Sequence, residues 1–204
     1  MKEFWNERYS LSEFAYGEIP NEYLKEKLKS IPLGKILFAC EGEGRNAVYA
    51  SRLGWESYAF DQSVEGKNKA ELLALKKEVE IDYLVSDMEN IPYEKESFDT
   101  LVLIFAHFPK EKRKEFHQKL ALLLKKGRTL IVEGFSKDHK EFQDKNPNAG
   151  GPKNVDMLYD LEELKSDFEG FEFIEAYQTQ TQLDEGLYHN GEASVVRILA
   201  IKKK

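Results

Sequence analysis

The sequence predicts an α/β fold: a seven-stranded, mostly parallel sheet with helices on both faces and an antiparallel hairpin strand at its C-terminal end. Three observations lead there. Short aliphatic and aromatic runs alternate with longer stretches of helical spacing through the first two thirds of the chain, the pattern of strand–helix–strand units. The fourth run, Leu101-Val102-Leu103-Ile104-Phe105, is apolar at every position, as a strand buried on both sides must be. The last two runs are separated by a polar stretch without helical spacing, and strands joined that way pair antiparallel.

In order, the strands are expected at Lys35–Cys40, Trp55–Phe60, Ile81–Val85, Phe98–Ala106, Thr129–Phe135, Phe171–Tyr177 and Ala193–Ile201. Before the fifth, Phe116, Leu120, Leu123 and Leu124 fall on one helical stripe. Asp160-Leu161-Glu162-Glu163 has the form of an N-terminal cap opening a short helix that ends near Gly170. Asp138–Asp156, with Pro147, Gly150, Gly151 and Pro152, is expected to be a loop over the sheet. Its length, about nineteen residues, favours a binding or lid role over plain linkage. The polar stretch Leu183–Gly191 is expected to connect the final two strands.

The composition suits a globular protein: 204 residues, 41% hydrophobic and 33% charged. Thirty basic against 37 acidic side chains give a net charge of −7, which argues against a dedicated nucleic-acid binder. Lys110–Arg128 is rich in lysine and arginine, but its apolar stripe makes it a solvated helix face. The single cysteine, Cys40, fits a reducing compartment, and the charged N-terminus lacks the apolar core of a signal peptide. The longest apolar run, Leu101–Ala106, is far short of the ~20 residues that span a bilayer. A single cytoplasmic domain over 1–204 is expected, a monomer or weak homodimer without membrane or nucleic-acid partners. His107, His117, His139 and His189 lie too far apart in sequence to suggest a metal site.

The first strand runs into Cys40-Glu41-Gly42-Glu43-Gly44-Arg45-Asn46-Ala47. Glycines at a strand-to-helix turn permit positive φ and let a ligand approach the backbone, and the helix N–H groups beyond point toward it. The second strand ends in Phe60-Asp61, where a carboxylate can accept the hydroxyls of a ribose; the third ends in Val85-Ser86-Asp87. Glycines and acids at three successive strand ends indicate a nucleoside-containing cofactor. Gly42-x-Gly44-x-x-Ala47 also fits a dinucleotide loop, so a nicotinamide-dependent oxidoreductase and a non-catalytic nucleoside sensor stay open. Against the oxidoreductase, the Tyr-x-x-x-Lys spacing of short dehydrogenases occurs only at Tyr23–Lys27, before the first strand.

Further motifs flank this core. They are W-N-E-R-Y…Y-G-E-I-P-N from Trp5 to Asn21, F-D-Q-S after the second strand and D-M-E after the third. S-F-D-T-L-V-L-I-F-A-H-F-P spans the fourth, followed by G-G-P-K at Gly150–Lys153 and L-Y-H-N-G at Leu187–Gly191. In this order they resemble class I S-adenosylmethionine-dependent methyltransferases, in particular the small bacterial tellurite-resistance and thiopurine-type group, over nearly the whole chain. The resemblance implies a Rossmann-like fold and transfer of a methyl group from S-adenosylmethionine to a small-molecule acceptor, such as a thiol or a selenium or tellurium oxyanion. It implies that residues 1–34 cap the cofactor, 35–135 form the nucleoside-binding core and 136–204 the acceptor side. Cofactor contacts implied are Gly42 and Gly44 under the adenosyl part, Asp61 with Gln62 at the ribose, and Asp87 with Met88 at the adenine. Trp5, Arg8 and Tyr16 would close the methionine end, with Cys40, Glu41 and Phe105 also lining the site. Two positions depart from the family pattern: Phe38 replaces an acid and Cys40 a glycine. Glu41 is expected to supply the missing charge to the cofactor's ammonium group.

On the acceptor side the candidates are His107, His189, Arg45 and Tyr188. His107 follows the fourth strand, and histidine titrates near neutrality. His189 and Tyr188 sit in the C-terminal polar stretch, and Arg45 just past the glycines suits an anionic acceptor. A core hydrogen bond for each histidine, and a structural ion pair for Arg45, are the alternatives. Glu133, at the end of the fifth strand, is a weaker candidate.

Overall fold

The computed structural model describes residues 2–204. Two short helices, α1 (Lys2–Tyr9) and α2 (Glu22–Lys27), precede the first strand, β1 (Lys35–Ala39). Then follow α3 (Arg45–Arg52), β2 (Glu56–Asp61), α4 (Val64–Lys76), β3 (Asp82–Val85), β4 (Phe98–Ile104) and α5 (Lys110–Leu123). The remainder is β5 (Leu124–Phe135), α6 (His139–Lys145), a 3₁₀ turn (Val155–Met157), α7 (Leu161–Asp167), β6 (Phe171–Glu185) and β7 (His189–Lys202). One seven-stranded sheet has the order β3-β2-β1-β4-β5-β7-β6. The first five strands pair parallel and β7 runs antiparallel to both its neighbours, as expected from the sequence.

Each face of the sheet is buried. Ile36, Phe38, Ala59, Val102 and Ile131 pack with Tyr23, Leu24, Ala47 and Ala70 of α2, α3 and α4. Leu37, Ala39, Phe60, Leu103 and Val132 pack on the other side with Phe116, Leu120 and Leu164 of α5 and α7. Continuous apolar runs result because alternate residues bury on opposite faces. Phe38, where the family pattern has an acid, is one of these core residues and is 1% exposed.

Three expected boundaries shift. Asp138–Asp156 is not all loop, since it contains α6 and the 3₁₀ turn. That helix is about two turns long, with His139 and Gln143 buried in an otherwise charged stretch, too short to carry a clear period. Next, α5 passes directly into β5 at Leu124, because Leu124 already pairs with Phe98 across a bulge. Finally, Leu183–Gly191 is mostly strand: the hairpin ladder continues to Glu185 opposite His189, and only Gly186, Leu187 and Tyr188 turn. Ladder hydrogen bonds hold β6 at the sheet edge, where polar side chains such as Gln180 and Gln182 meet solvent, so no apolar alternation marks it.

Candidate functional site

The carboxyl ends of the parallel strands form one rim, tied together by the backbone. Glu41 N–H donates to the Phe60 carbonyl (3.1 Å), Ser86 N–H to Asp61 (2.9 Å) and Phe105 N–H to Glu133 (2.7 Å). Open α/β sheets place ligands along this edge.

On the β1–β2 half, Gly42 and Gly44 take φ of +63° and +83°, and Cys40 takes +55°. The family glycine at position 40 thus has a backbone reason, and Cys40 keeps the same left-handed conformation with a side chain. A Cβ on Gly42 would stand 2.5 Å from the Tyr9 hydroxyl, and one on Gly44 2.5 Å from Ala70 Cβ. The loop is therefore pressed between α1 and α4, with no room for side chains. Asp61 ties it to the next turn, Oδ2 accepting from Gly42 N–H (3.3 Å) and Oδ1 from Ser63 N–H (2.9 Å). Ser63 caps α4 through Gly66 N–H and donates to Asn6 of α1 (2.7 Å). Because Gly44 offers α3 no side-chain cap, Glu41 does so, accepting from Asn46 N–H (2.8 Å) and Ala47 N–H (2.9 Å).

Both carboxyls sit above their usual range. Burial pushes Glu41 up to about 7, only partly offset by its backbone hydrogen bonds and Arg45. Burial likewise pushes Asp61 up to about 6, and no cation pairs with it among the described residues. Beside them Gln62 is half-buried; Met88 packs into the core, while Asp87 lies exposed, bonded to its own turn through Asn90. Trp5 stacks on Tyr9 (5.4 Å), and Arg8 donates to the Tyr16 hydroxyl (2.8 Å) and lies 4.1 Å over the Tyr188 ring. Among the described residues Arg8 makes no ion pair with an acid.

The β4–β5–β7 half is different in kind. Arg45, 6% exposed, donates to Glu185 (2.8 Å) and to the carbonyls of Tyr16 and Ile19 (3.3 Å each). It staples the N-terminal segment to the hairpin, so its charge is already used. Asn21 bonds both Glu133 (2.6 Å) and Glu185 (3.1 Å), and Arg197 pairs with Glu133. His189 Nδ1 donates to Glu185 (3.0 Å). Its ring lies against Tyr16 (4.3 Å) and Phe105 (4.5 Å), the latter at φ +54°. Burial alone would raise Glu185, but Arg45 and His189 outweigh it and hold the carboxyl at about 2.

The structure thus joins Arg8, Tyr16, Arg45, Phe105, Tyr188 and His189 in one cluster, and Cys40, Glu41, Gly42, Gly44, Asp61 and Gln62 in its neighbour. His107 belongs to neither. Its Nε2 accepts from Phe135 N–H (3.0 Å), so Nδ1 carries the proton given to the Met157 carbonyl (2.8 Å). With both nitrogens engaged and burial pushing it down to about 3, His107 is a structural strut rather than a base. Tyr9 lies in the W-N-E-R-Y motif without being an expected contact, and Glu185 lies outside every motif. Glu185 would have been legible had the three-residue turn to His189 been recognised, since it makes the two a cross-strand pair.

Residues 36–127 match the family model described as a methyltransferase domain. The matched segment is the strand–helix core from β1 into β5. Its fold is that of class I enzymes whose methyl donor is S-adenosylmethionine. The chain superposes on TehB from Haemophilus influenzae at a TM-score of 0.71 and 18% identity, covering 99% of this chain and 67% of that one. Magnesium protoporphyrin IX methyltransferase from Synechocystis PCC 6803, solved with bound SAH, gives 0.62 at 16%, covering 89% and 80%. A structure described for conversion of a disulfide bond into a thioacetal group during echinomycin biosynthesis gives 0.80 at 16%, covering 100% and 92%. No curated protein sequence matches the chain. Among the described residues no helix is long and apolar enough to cross a membrane.

Proposed function

We propose that the chain transfers the methyl group of S-adenosylmethionine to a small-molecule acceptor held beside Phe105, Tyr16, Tyr188 and His189. The observation that carries this reading is the glycine loop flanked by two buried acids, Glu41 and Asp61, raised by burial and without an ion pair among the described residues. A cofactor bearing an ammonium group and ribose hydroxyls suits that donor set.

Gly42 and Gly44 would lie under the adenosyl part, with Asp61 and Gln62 at the ribose and Asp87 and Met88 beside the adenine. Glu41 keeps one oxygen nearly free, since Oε2 meets only Asn46 Nδ2 at 3.4 Å, and would take the ammonium group. Arg8, unpaired with any described acid, would take the carboxylate. Trp5, Tyr9 and Tyr16 present aromatic surface that favours a cationic centre over water. When bound, the sulfonium cofactor supplies an electrophilic methyl carbon. The chain's task is then chiefly to orient an acceptor and exclude water. Cys40, raised by burial and facing Asp61, is held as a neutral thiol and would not compete as a nucleophile.

Calorimetry with S-adenosylhomocysteine and NADH, on the unsubstituted protein and Asp61→Ala, tests the cofactor. Binding of S-adenosylhomocysteine alone, weakened at least tenfold by Asp61→Ala, is expected; binding of NADH alone would overturn the reading. Mass spectrometry of a thiol, selenite and tellurite panel then tests for methyl transfer.

A further inference from the structure

The Glu185–His189 pair has one feature that an ion pair for stability does not need. Glu185 takes the Nδ1 proton of His189, which leaves Nε2 as the free lone pair of a neutral imidazole. Among the described residues Nε2 has no hydrogen-bond partner, yet it is not sealed in like His117 Nε2, which is fully buried without one. The backbone approaches closely beside it, as only a glycine permits. Gly150, at φ +83°, lies against the Cδ2–Nε2 edge, where a Cβ would stand 3.1 Å from Nε2 and 2.5 Å from the Tyr188 carbonyl. The neighbouring strand of chain is fastened there, Asn190 N–H donating to Asn148 (3.0 Å) and Asn146 Nδ2 to Asn190 (2.7 Å).

We propose that His189 is the proton acceptor for methyl transfer, with Glu185 as its positioning residue, so that the acceptor enters as a neutral thiol or phenol rather than as a preformed anion. This rests on the methyl-transfer reading and deepens it. The acceptor's X–H proton passes to Nε2 as the X–CH3 bond forms and the methyl–sulfur bond breaks, leaving a neutral thioether and an imidazolium. That imidazolium faces Glu185 and returns its proton to water when product leaves.

The charges around His189 suit this task. Glu185 on β6 favours the imidazolium, while Arg45 on α3 and Arg8 on α1 oppose it. His139 on α6 and His107 after β4 also face it, and both are pushed down by burial, to about 4 and about 3, so they stay neutral. Tyr16, raised by burial, contributes a neutral ring, and the Tyr188 ring packs beside it. Arg45 already neutralises Glu185, so His189 is not locked as a cation; burial lowers it further, against the pull of Glu185. An imidazole of this kind is a weak base, able to take a proton from a thiol or phenol but poorly matched to an aliphatic hydroxyl. Tyr16 and Phe105 offer the aromatic surface that such an acceptor packs on.

The test begins with the ¹⁵N imidazole spectrum of the protein saturated with S-adenosylhomocysteine. At pH 7 His189 is expected to show a protonated Nδ1 and a bare Nε2, a tautomer that Glu185→Gln erodes. A doubly protonated ring, or a proton on Nε2, overturns the proposal. Methylation of 2-mercaptoethanol and phenol, mostly neutral at pH 7, is then compared with thiophenol, largely an anion there. His189→Gln is expected to lose at least about 100-fold on a neutral acceptor, the low end for general-base catalysis, and under about fivefold on thiophenol. Equal losses on both kinds, no loss, or turnover of neither neutral acceptor overturns it. Calorimetry with S-adenosylhomocysteine separates the two readings: lost binding by the unsubstituted protein defeats methyl transfer itself, whereas retained binding with the wrong tautomer defeats only the role of His189. Should His189→Gln fail to fold, the spectrum of the unsubstituted protein decides alone.

Discussion

The two halves of the rim hold their acids in opposite ways. At the β1–β2 half, Glu41 and Asp61 are buried against backbone N–H groups and sit at about 7 and about 6. At the β5–β7 half, Glu185 faces Arg45 and sits at about 2, while Glu133 pairs with Arg197. One half compensates its own charge; the other leaves charge for something to satisfy. Desolvation raises every one of these carboxyls; Arg45 and His189 reverse the sign for Glu185, whereas burial keeps Glu133 raised despite Arg197. In the glycine loop Glu43 pairs with Lys69, whereas Glu41 and Asp61 are left without an ion pair, as a site for a positively charged ligand requires.

The largest expected effect lies in the compensated half. Arg45→Ala strands Glu185 as a buried, unpaired charge and releases the N-terminal segment, at a cost of about 3–5 kcal/mol in urea unfolding. A loss no greater than that of an exposed pair, such as Lys25 with Glu22, would erase the contrast. Next comes Gly42→Ala. The φ of +63° and the approach of Tyr9 predict a loss of about 1–3 kcal/mol, with weakened S-adenosylhomocysteine binding in the same calorimetric series.

A smaller effect sharpens the comparison through pH. Glu41 is raised in the folded chain, so its contribution is fully present below the unfolded value of about 4.3 and is lost as pH rises through about 7. Glu185 is lowered, so its contribution is present above about 4.3 and is lost as pH falls toward about 2. Glu41→Gln should therefore flatten the decline in stability between pH 5 and 8 by on the order of 1 kcal/mol, while leaving the acid limb unchanged. Melting temperatures across that range check it. A cationic ligand at Glu41 should also expel a proton near pH 7, seen as a buffer-dependent binding enthalpy. Smallest is the thiol: Cys40 should alkylate slowly at pH 8, and more slowly still with S-adenosylhomocysteine present.

Much of this architecture is written locally. Apolar runs such as Leu101–Phe105 reveal strands because both faces of a parallel sheet are dry, and Gly42, Gly44 and Asp61 mark the rim because turn chemistry depends on residue type. The candidates at the β1–β2 half were legible for that reason: each lies at, or within a few residues of, the carboxyl end of a strand. Helix α6 and the long hairpin were not, since about two helical turns show too little of a period and an edge strand needs no alternation.

Charge states lay beyond the reach of any motif. His107 and His189 look equivalent as letters, yet one has both nitrogens bonded and the other keeps Nε2 free. Arg45 beside the glycines suggests an anion site until Glu185, 140 residues away, is found against it. Residue types and their order along the chain state which groups are available and where the backbone turns. Which of those groups are neutralised, buried or left open depends on partners brought from distant segments, because desolvation and ion pairing act through space over a few ångströms.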